Sequence, residues 1–204
     1  MPWFTDLSAH GDRPPYATPP LDLRSSVLPR AHGMDAGQQP LVTLQVTADR
    51  VHGREILRGL LHAVLFHRLL GIIKPATIEV LDVTIPKIDD PKIDAMVNAK
   101  ADALIVTFAD RVTKKSWFSS GEEDVTWEQW LLDITAVAHP IPASNAEAFT
   151  NAQSDMLTRA LRIILEHTSS DQGRAAVPRI KDLSGVSPFP WRIEVRVGSV
   201  ELAA

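Results

Sequence analysis

The stretch "LIVTFADRVTKKSWFSSGEEDVTWEQWLLDITAVA", residues 104–138, decides the fold. Its first five residues, "LIVTF", form an apolar, β-branched run that reads as a buried strand. Its last twelve, "WEQWLLDITAVA", read as a second strand, with Trp130, Leu132, Ile134 and Ala136 on one face. The polar "ADRVTKKS" and the acids of "GEEDV" between them read as loop and solvated turn. Two strands joined in this way make a long hairpin, so the sheet they enter is mostly antiparallel or mixed.

Working outward, "LVTLQVTA" (41–48) alternates Val42, Leu44, Val46 and Ala48 against Thr43, Gln45 and Thr47, a half-buried strand. Leu57, Leu60, Leu61, Val64 and Leu65 then recur at helical spacing. Asp49 is the expected N-cap and Gly71 the expected C-terminal stop. "ATIEVLDVTIPKI" reads as one strand with Leu81, Val83 and Ile85 on one face and Pro86 at its end. "DDPKIDAMVNAK" opens with an Asp90 cap and Pro91 in the first turn of a short helix. A long helix is expected from about Ser144 to His167, with an Asp155–Arg159 pair on its surface. "WRIEVRVGSV" is the last strand. The order β-α-β-α-β-β-α-β predicts an α+β fold, a mixed sheet backed by three helices.

Residues 1–40 are proline-rich and lack periodic hydrophobicity, so they read as a disordered tail, with 41–204 as the folded domain. Trp3 and Phe4 in that tail are read as an inert end rather than a binding motif. A net charge of −4 gives no overall basic field for nucleic acid. The absence of cysteine excludes a disulfide framework, a thiolate metal site and a cysteine nucleophile. The greasiest run, 56–73, is interrupted by Arg58, His62, His67 and Arg68, too many polar residues for a membrane span. With no apolar signal-peptide core at the start, the chain reads as soluble and intracellular.

No phosphate-cradling glycine motif is present, and no cofactor is implied. His62 and His67 are five apart, the wrong spacing for a zinc pair on one helical face. The acids at 121–124 lack calcium-loop spacing. Ser119 and Ser120 have no nucleophile elbow, although folding could bring His139 or His167 near them. Lys114 and Lys115 are only a two-charge patch. The aromatics carry more signal. Trp127, Trp130 and Trp191 begin strands and read as packing residues. Trp117 and Phe118 stand together in the polar connection. There they either fill a gap in the core or form an exposed anchor for a partner.

Three stretches resemble the autophagy-related protein 101 family of HORMA-domain proteins. They are "LLHAVLFHRLLG", "KKSWFSSGEEDVTWEQW" and "SPFPWRIEVRV". The resemblance covers about 41–200, and the second stretch is its specific part. It implies a HORMA fold and a scaffold rather than an enzyme. It implies pairing with the HORMA domain of autophagy-related protein 13 in the autophagy initiation kinase complex. It also implies a Trp-Phe finger, here Trp117 and Phe118, that recruits downstream factors in the cytoplasm at the phagophore assembly site. Animal relatives place a proline between the two aromatics; here they are adjacent. His67 and Arg68 are the candidate HORMA-pairing surface. The few residues after the last strand imply a domain that does not wrap a peptide, unlike HORMA adaptors of the spindle-checkpoint or meiotic type. The remaining alternative is a small enzyme whose histidines converge only in the fold.

Overall fold

A computed structural model describes residues 40–49, 51–101, 105–116, 119–136 and 145–194. The reading of 1–40 as a tail therefore falls, except for Pro40, outside the described residues.

The first strand is β1 (Leu41–Ala48), and its inward residues Leu44, Val46 and Ala48 are buried as the alternation requires. Helix α1 (Gly53–Arg68) follows. The N-cap is His52, which makes no side-chain cap, not the expected Asp49; Asp49 instead closes the turn that precedes the helix. Its Oδ1 accepts the N–H groups of Val51 and His52, and its carbonyl accepts that of Gly53. Residues 56–65 of α1 are almost all buried except Arg58, because the helix is enclosed by other elements on several sides. Its end differs from the expectation. Leu70 takes the left-handed conformation (φ +56°), and Gly71 has a different role. A Cβ at Gly71 would lie 2.5 Å from the carbonyl oxygen of Gly185. The glycine therefore admits the crossing backbone of 185–186, to which Gly71 and Ile72 donate hydrogen bonds.

"ATIEVLDVTIPKI" is not one strand. It is the hairpin of β2 (Pro75–Val80) and β3 (Val83–Ile88), closed by Leu81 and Asp82, both at positive φ. Two such residues match a type I′ turn. The usual Asn-Gly signal is absent, so the turn is hidden in the sequence. Pro86 sits inside β3 opposite Thr77, where a two-stranded sheet leaves room for a missing donor. Helix α2 (Pro91–Ala99) is capped by Asp90, whose carboxylate accepts the N–H groups of Lys92 and Ile93. It rests on α1.

β4 (Ile105–Ser116) and β5 (Ser119–Ala136) form the long hairpin. Helix α3 (Ala146–Ser169), the five-residue α4 (Asp171–Ala175) and β6 (Trp191–Glu194) complete the described elements. The four-stranded sheet has the order β1-β5-β4-β6. Its β1–β5 pair is parallel and the other two are antiparallel, so the mixed α+β class holds. Register aligns Val42, Trp130, Val106 and Ile193 in one row across it. α1 and α3 pack against this sheet. The buried stripe of α3 is Gln153, Met156, Leu157, Ala160 and Ile164. Phe149, Ala152 and Ile163, counted in that stripe from the sequence, are only partly buried or exposed. Arg159 donates to the backbone carbonyl of Asp155, not to its carboxylate.

The hairpin also corrects the expected loop. The residues 109–116 and 121–126 are paired strand, not loop and turn. Pairing satisfies their backbone groups, while their side chains from 109 to 112 and 121 to 126 are mostly exposed. A stretch whose described side chains are mostly exposed has no need to alternate apolar and polar residues, so the strand period disappears from its sequence.

Candidate interaction site

At the base of the hairpin the register shifts. Phe108 pairs with Glu128, but Ala109 pairs with Thr126, so Trp127 is an extra residue on β5. This is a β-bulge, in which two neighbouring residues on one strand oppose a single residue on the other. Trp127 and Glu128 are accordingly both buried despite being adjacent. Trp127 packs on Phe108 and Phe189 at ring-centroid distances of 5.6 and 5.7 Å.

Glu128 is fully buried, and four donors surround its carboxylate. Arg68 reaches it twice, Nε to Oε2 and Nη2 to Oε1, both at 2.7 Å. Trp130 Nε1 donates to Oε2 at 2.7 Å, and His167 Nε2 meets Oε1 at 2.8 Å. A carboxylate offers about four acceptor directions, and here all are taken. Burial alone would raise the Glu128 pKa. The hydrogen bonds from His167, Arg68 and Trp130, with the Arg68 charge, outweigh burial and hold it below the usual carboxylate range. An ionised, saturated carboxylate of this kind anchors its neighbours; it has no lone pair left for acid–base work.

Arg68 has further partners. Its Nη2 also donates to the Gly173 carbonyl at 3.2 Å, and its guanidinium lies 5.8 Å from the Trp127 ring centroid. The cluster thus joins the end of α1, the bulge of β5, the end of α3 and the middle of α4. Fork geometry explains why arginine serves at this position and lysine would not.

Beyond the bulge, β6 pairs β4 only along Ile105–Phe108, with one further bond from the Ala109 N–H to the Pro190 carbonyl. On the other side, among the described residues, the pairing of β1 with β5 extends to the Gln129 N–H, bonded to the Pro40 carbonyl. The hairpin then continues as a two-stranded ribbon to its last described pair, Ser116 with Ser119. Arg111 faces Asp124 at 3.2 Å and Glu122 at 3.6 Å, both exposed. Trp117 and Phe118, the residues between those serines in the chain, lie outside the described residues.

The other residues singled out from sequence are dispersed. His67 is half-buried and edge-on to Phe66, while Arg68 is only 2% exposed and turned into the chain. His62 is buried with both ring nitrogens lacking hydrogen bonds, 3.7 Å from Asp94 at its closest charged contact. Burial lowers its pKa to about 4, against a smaller opposing pull from Asp94, so the ring is neutral. His139 lies outside the described residues. His62, His67 and His167 have different neighbours and do not converge. A shallow open cavity of about 220 Å³ is lined by Ile72, Ile73, Lys74, Ile88, Asp89, Asp90 and Val186. Its polar groups already have work: Lys74 pairs with Asp89, and Asp90 caps α2. No three metal-binding side chains cluster among the described residues, and no described helix is long and apolar enough to cross a membrane.

The sequence reading missed Glu128. A signal was present: Glu128 shares the inward parity of Trp130 and Leu132, and an acid at a core position demands a cation. Arg68, at the end of the most apolar helix, answers that demand.

Comparison with known proteins bears on the whole region. The family model for Autophagy-related protein 101 matches residues 45–184, a span that includes the hairpin and every member of the Glu128 cluster. The Autophagy-related protein 101 of Arabidopsis thaliana is 32% identical over 174 residues, covering 70% of this chain and 80% of the relative. The Schizosaccharomyces pombe protein of the same name is 25% identical over 136 residues, covering 60% and 73%.

Proposed function

This chain belongs to the autophagy-related protein 101 family, and on that premise we propose that it is a non-enzymatic adaptor of the autophagy initiation kinase complex. Its role is in autophagy. In the finer reading, it pairs with the HORMA domain of autophagy-related protein 13 and shares the HORMA fold with it. Trp117 and Phe118 recruit downstream factors, and the complex works in the cytoplasm at the phagophore assembly site. No nucleic acid, metal or cofactor enters the reading.

The observation that carries the proposal is the family match over 45–184, which contains the long hairpin whose paired strands flank Trp117 and Phe118 in the chain. Large aromatics next to a polar, solvent-facing ribbon suit a recruitment anchor. His67 is the candidate pairing contact. Arg68 contributes to pairing only through the segment that it holds, because its guanidinium is engaged inside the chain.

The test is the double substitution Trp117→Ala, Phe118→Ala in the full chain. The expected result is an unchanged melting temperature, unchanged capture of autophagy-related protein 13 and impaired autophagosome formation in starved cells. A large fall in melting temperature would place the two aromatics in the core and overturn the anchor. Failure of the unsubstituted chain to capture autophagy-related protein 13 would overturn the pairing.

A further inference from the structure

We propose that Arg68, Glu128 and His167, together with the bulge at Trp127, form a clamp that sets the direction in which the β4–β5 hairpin leaves the sheet. They are positioning residues for whatever the hairpin carries. The geometric part stands on the described residues; its consequence for recruitment rests on the function proposed above.

A two-stranded ribbon is prone to strong twist and bending because no neighbouring strand restrains it. The described part of this ribbon extends past the described pairing of both flanking strands, which reaches Phe108 and Ala109 on β4 and Gln129 on β5. Its aim is therefore determined where it is last held, at the bulge. A bulge bends its strand and adds local twist. This one is maintained because Trp127 and Glu128 are both kept inside. Trp127 is held by Phe108, Phe189 and the Arg68 face, and Glu128 by its four donors. Arg68 touches both residues, while His167 and the Gly173 carbonyl tie the same cluster to α3 and α4. Without those donors, Glu128 has no reason to stay buried. The extra residue can then shift along β5, and a one-residue slip exchanges the faces of the outer β5 side chains relative to β4.

The chain has no cysteine, so introduced cysteines take spin labels without background. One pair, Val112→Cys with Arg162→Cys, reports the hairpin against α3. A second pair, Gln45→Cys with Arg162→Cys, reports the sheet body against the same helix. Pulsed electron paramagnetic resonance on the full chain is expected to give one narrow hairpin distance. Glu128→Gln and Arg68→Lys are expected to shift or broaden that distance while leaving the body distance unchanged. An unchanged hairpin distance in both variants, with only a lower melting temperature, means the cluster is merely structural and overturns the clamp. If either variant does not fold, His167→Ala, which leaves Arg68 on Glu128, is read by the same criteria. Capture of downstream factors is measured alongside. A displaced hairpin that recruits normally supports the clamp and refutes only its link to recruitment.

Discussion

The two hairpins among the described residues differ in how they are held. β2–β3 is short, and it lies against α1, where Gly59 lets the strand come close: a Cβ there would be 2.5 Å from Ile85 Cδ1. Its turn is secured from outside, since Ser154 of α3 donates to the Leu81 carbonyl at 2.6 Å. Apolar contact along its length does the holding, with Val80, Ile85 and Ile88 buried. β4–β5 buries Ile105, Val106, Phe108, Trp130 and Leu132 in the sheet, and at its bulge it adds a buried polar cluster, beyond which the described side chains are mostly exposed. An apolar interface distributes stabilisation over many small contacts. A buried ion pair concentrates it in a few groups, and removing one of them leaves an uncompensated charge.

That contrast can be broken at its strongest point first. Arg68→Ala should destabilise the chain by about 3–5 kcal/mol, as expected when one partner of a buried pair is removed; urea unfolding measures it. A loss below about 1 kcal/mol, the level of an exposed pair, would show that water or another cation replaces Arg68 and that the base is not specially held. Gly59→Val should cost less, about 1–3 kcal/mol, by overpacking the α1–β3 contact. If it matched Arg68→Ala, the distinction between concentrated and distributed support would fail. Arg111→Ala, on the outer ribbon, should cost under about 1 kcal/mol, because its partners Asp124 and Glu122 are exposed.

Acid sharpens the same comparison. His62 has a folded pKa of about 4, below its ordinary value near 6.5. Its contribution is fully present above the unfolded value and declines as pH falls from about 6.5 towards 4. Glu128 is also depressed, so its contribution is present above the ordinary carboxylate pKa and is lost as pH falls through the lower folded value. Urea midpoints measured across pH should therefore fall in two stages. His62→Gln should remove slope from the upper stage and Glu128→Gln from the lower. A single stage unaffected by either substitution would contradict both environments.

The legible parts of the fold share one property: a face buried at a regular period. Leu44, Val46 and Ala48 on β1, and Trp130 and Leu132 on β5, were readable for that reason. So was the capping carboxylate Asp90, whose targets are a few residues away, whereas Asp49 closes the turn before α1 and the N-cap is His52. The Leu81–Asp82 turn was not readable, because neither residue is the glycine or asparagine that usually marks positive φ. The stretches 109–112 and 121–126 were not readable because side chains that are mostly exposed carry no apolar alternation. Of the site, Trp127 and Trp130 could be recognised as packing residues, whereas the partnership of Glu128 with Arg68 and His167 could not.

By itself, the sequence determined the α+β class, the inward faces of its strands, the start of α2 and the likeness to a known family. These depend on spacing and on short-range hydrogen bonds, which act between residues close in the chain. Only the tertiary structure decided that β1 lies parallel to β5, that the stretches 109–116 and 119–126 are paired strand, and that Glu128 is a buried anchor. Each of those outcomes depends on backbone or side-chain partners tens of residues away. Local pattern supplies an acid at an inward position, but the cation that makes its burial tolerable is chosen by the fold.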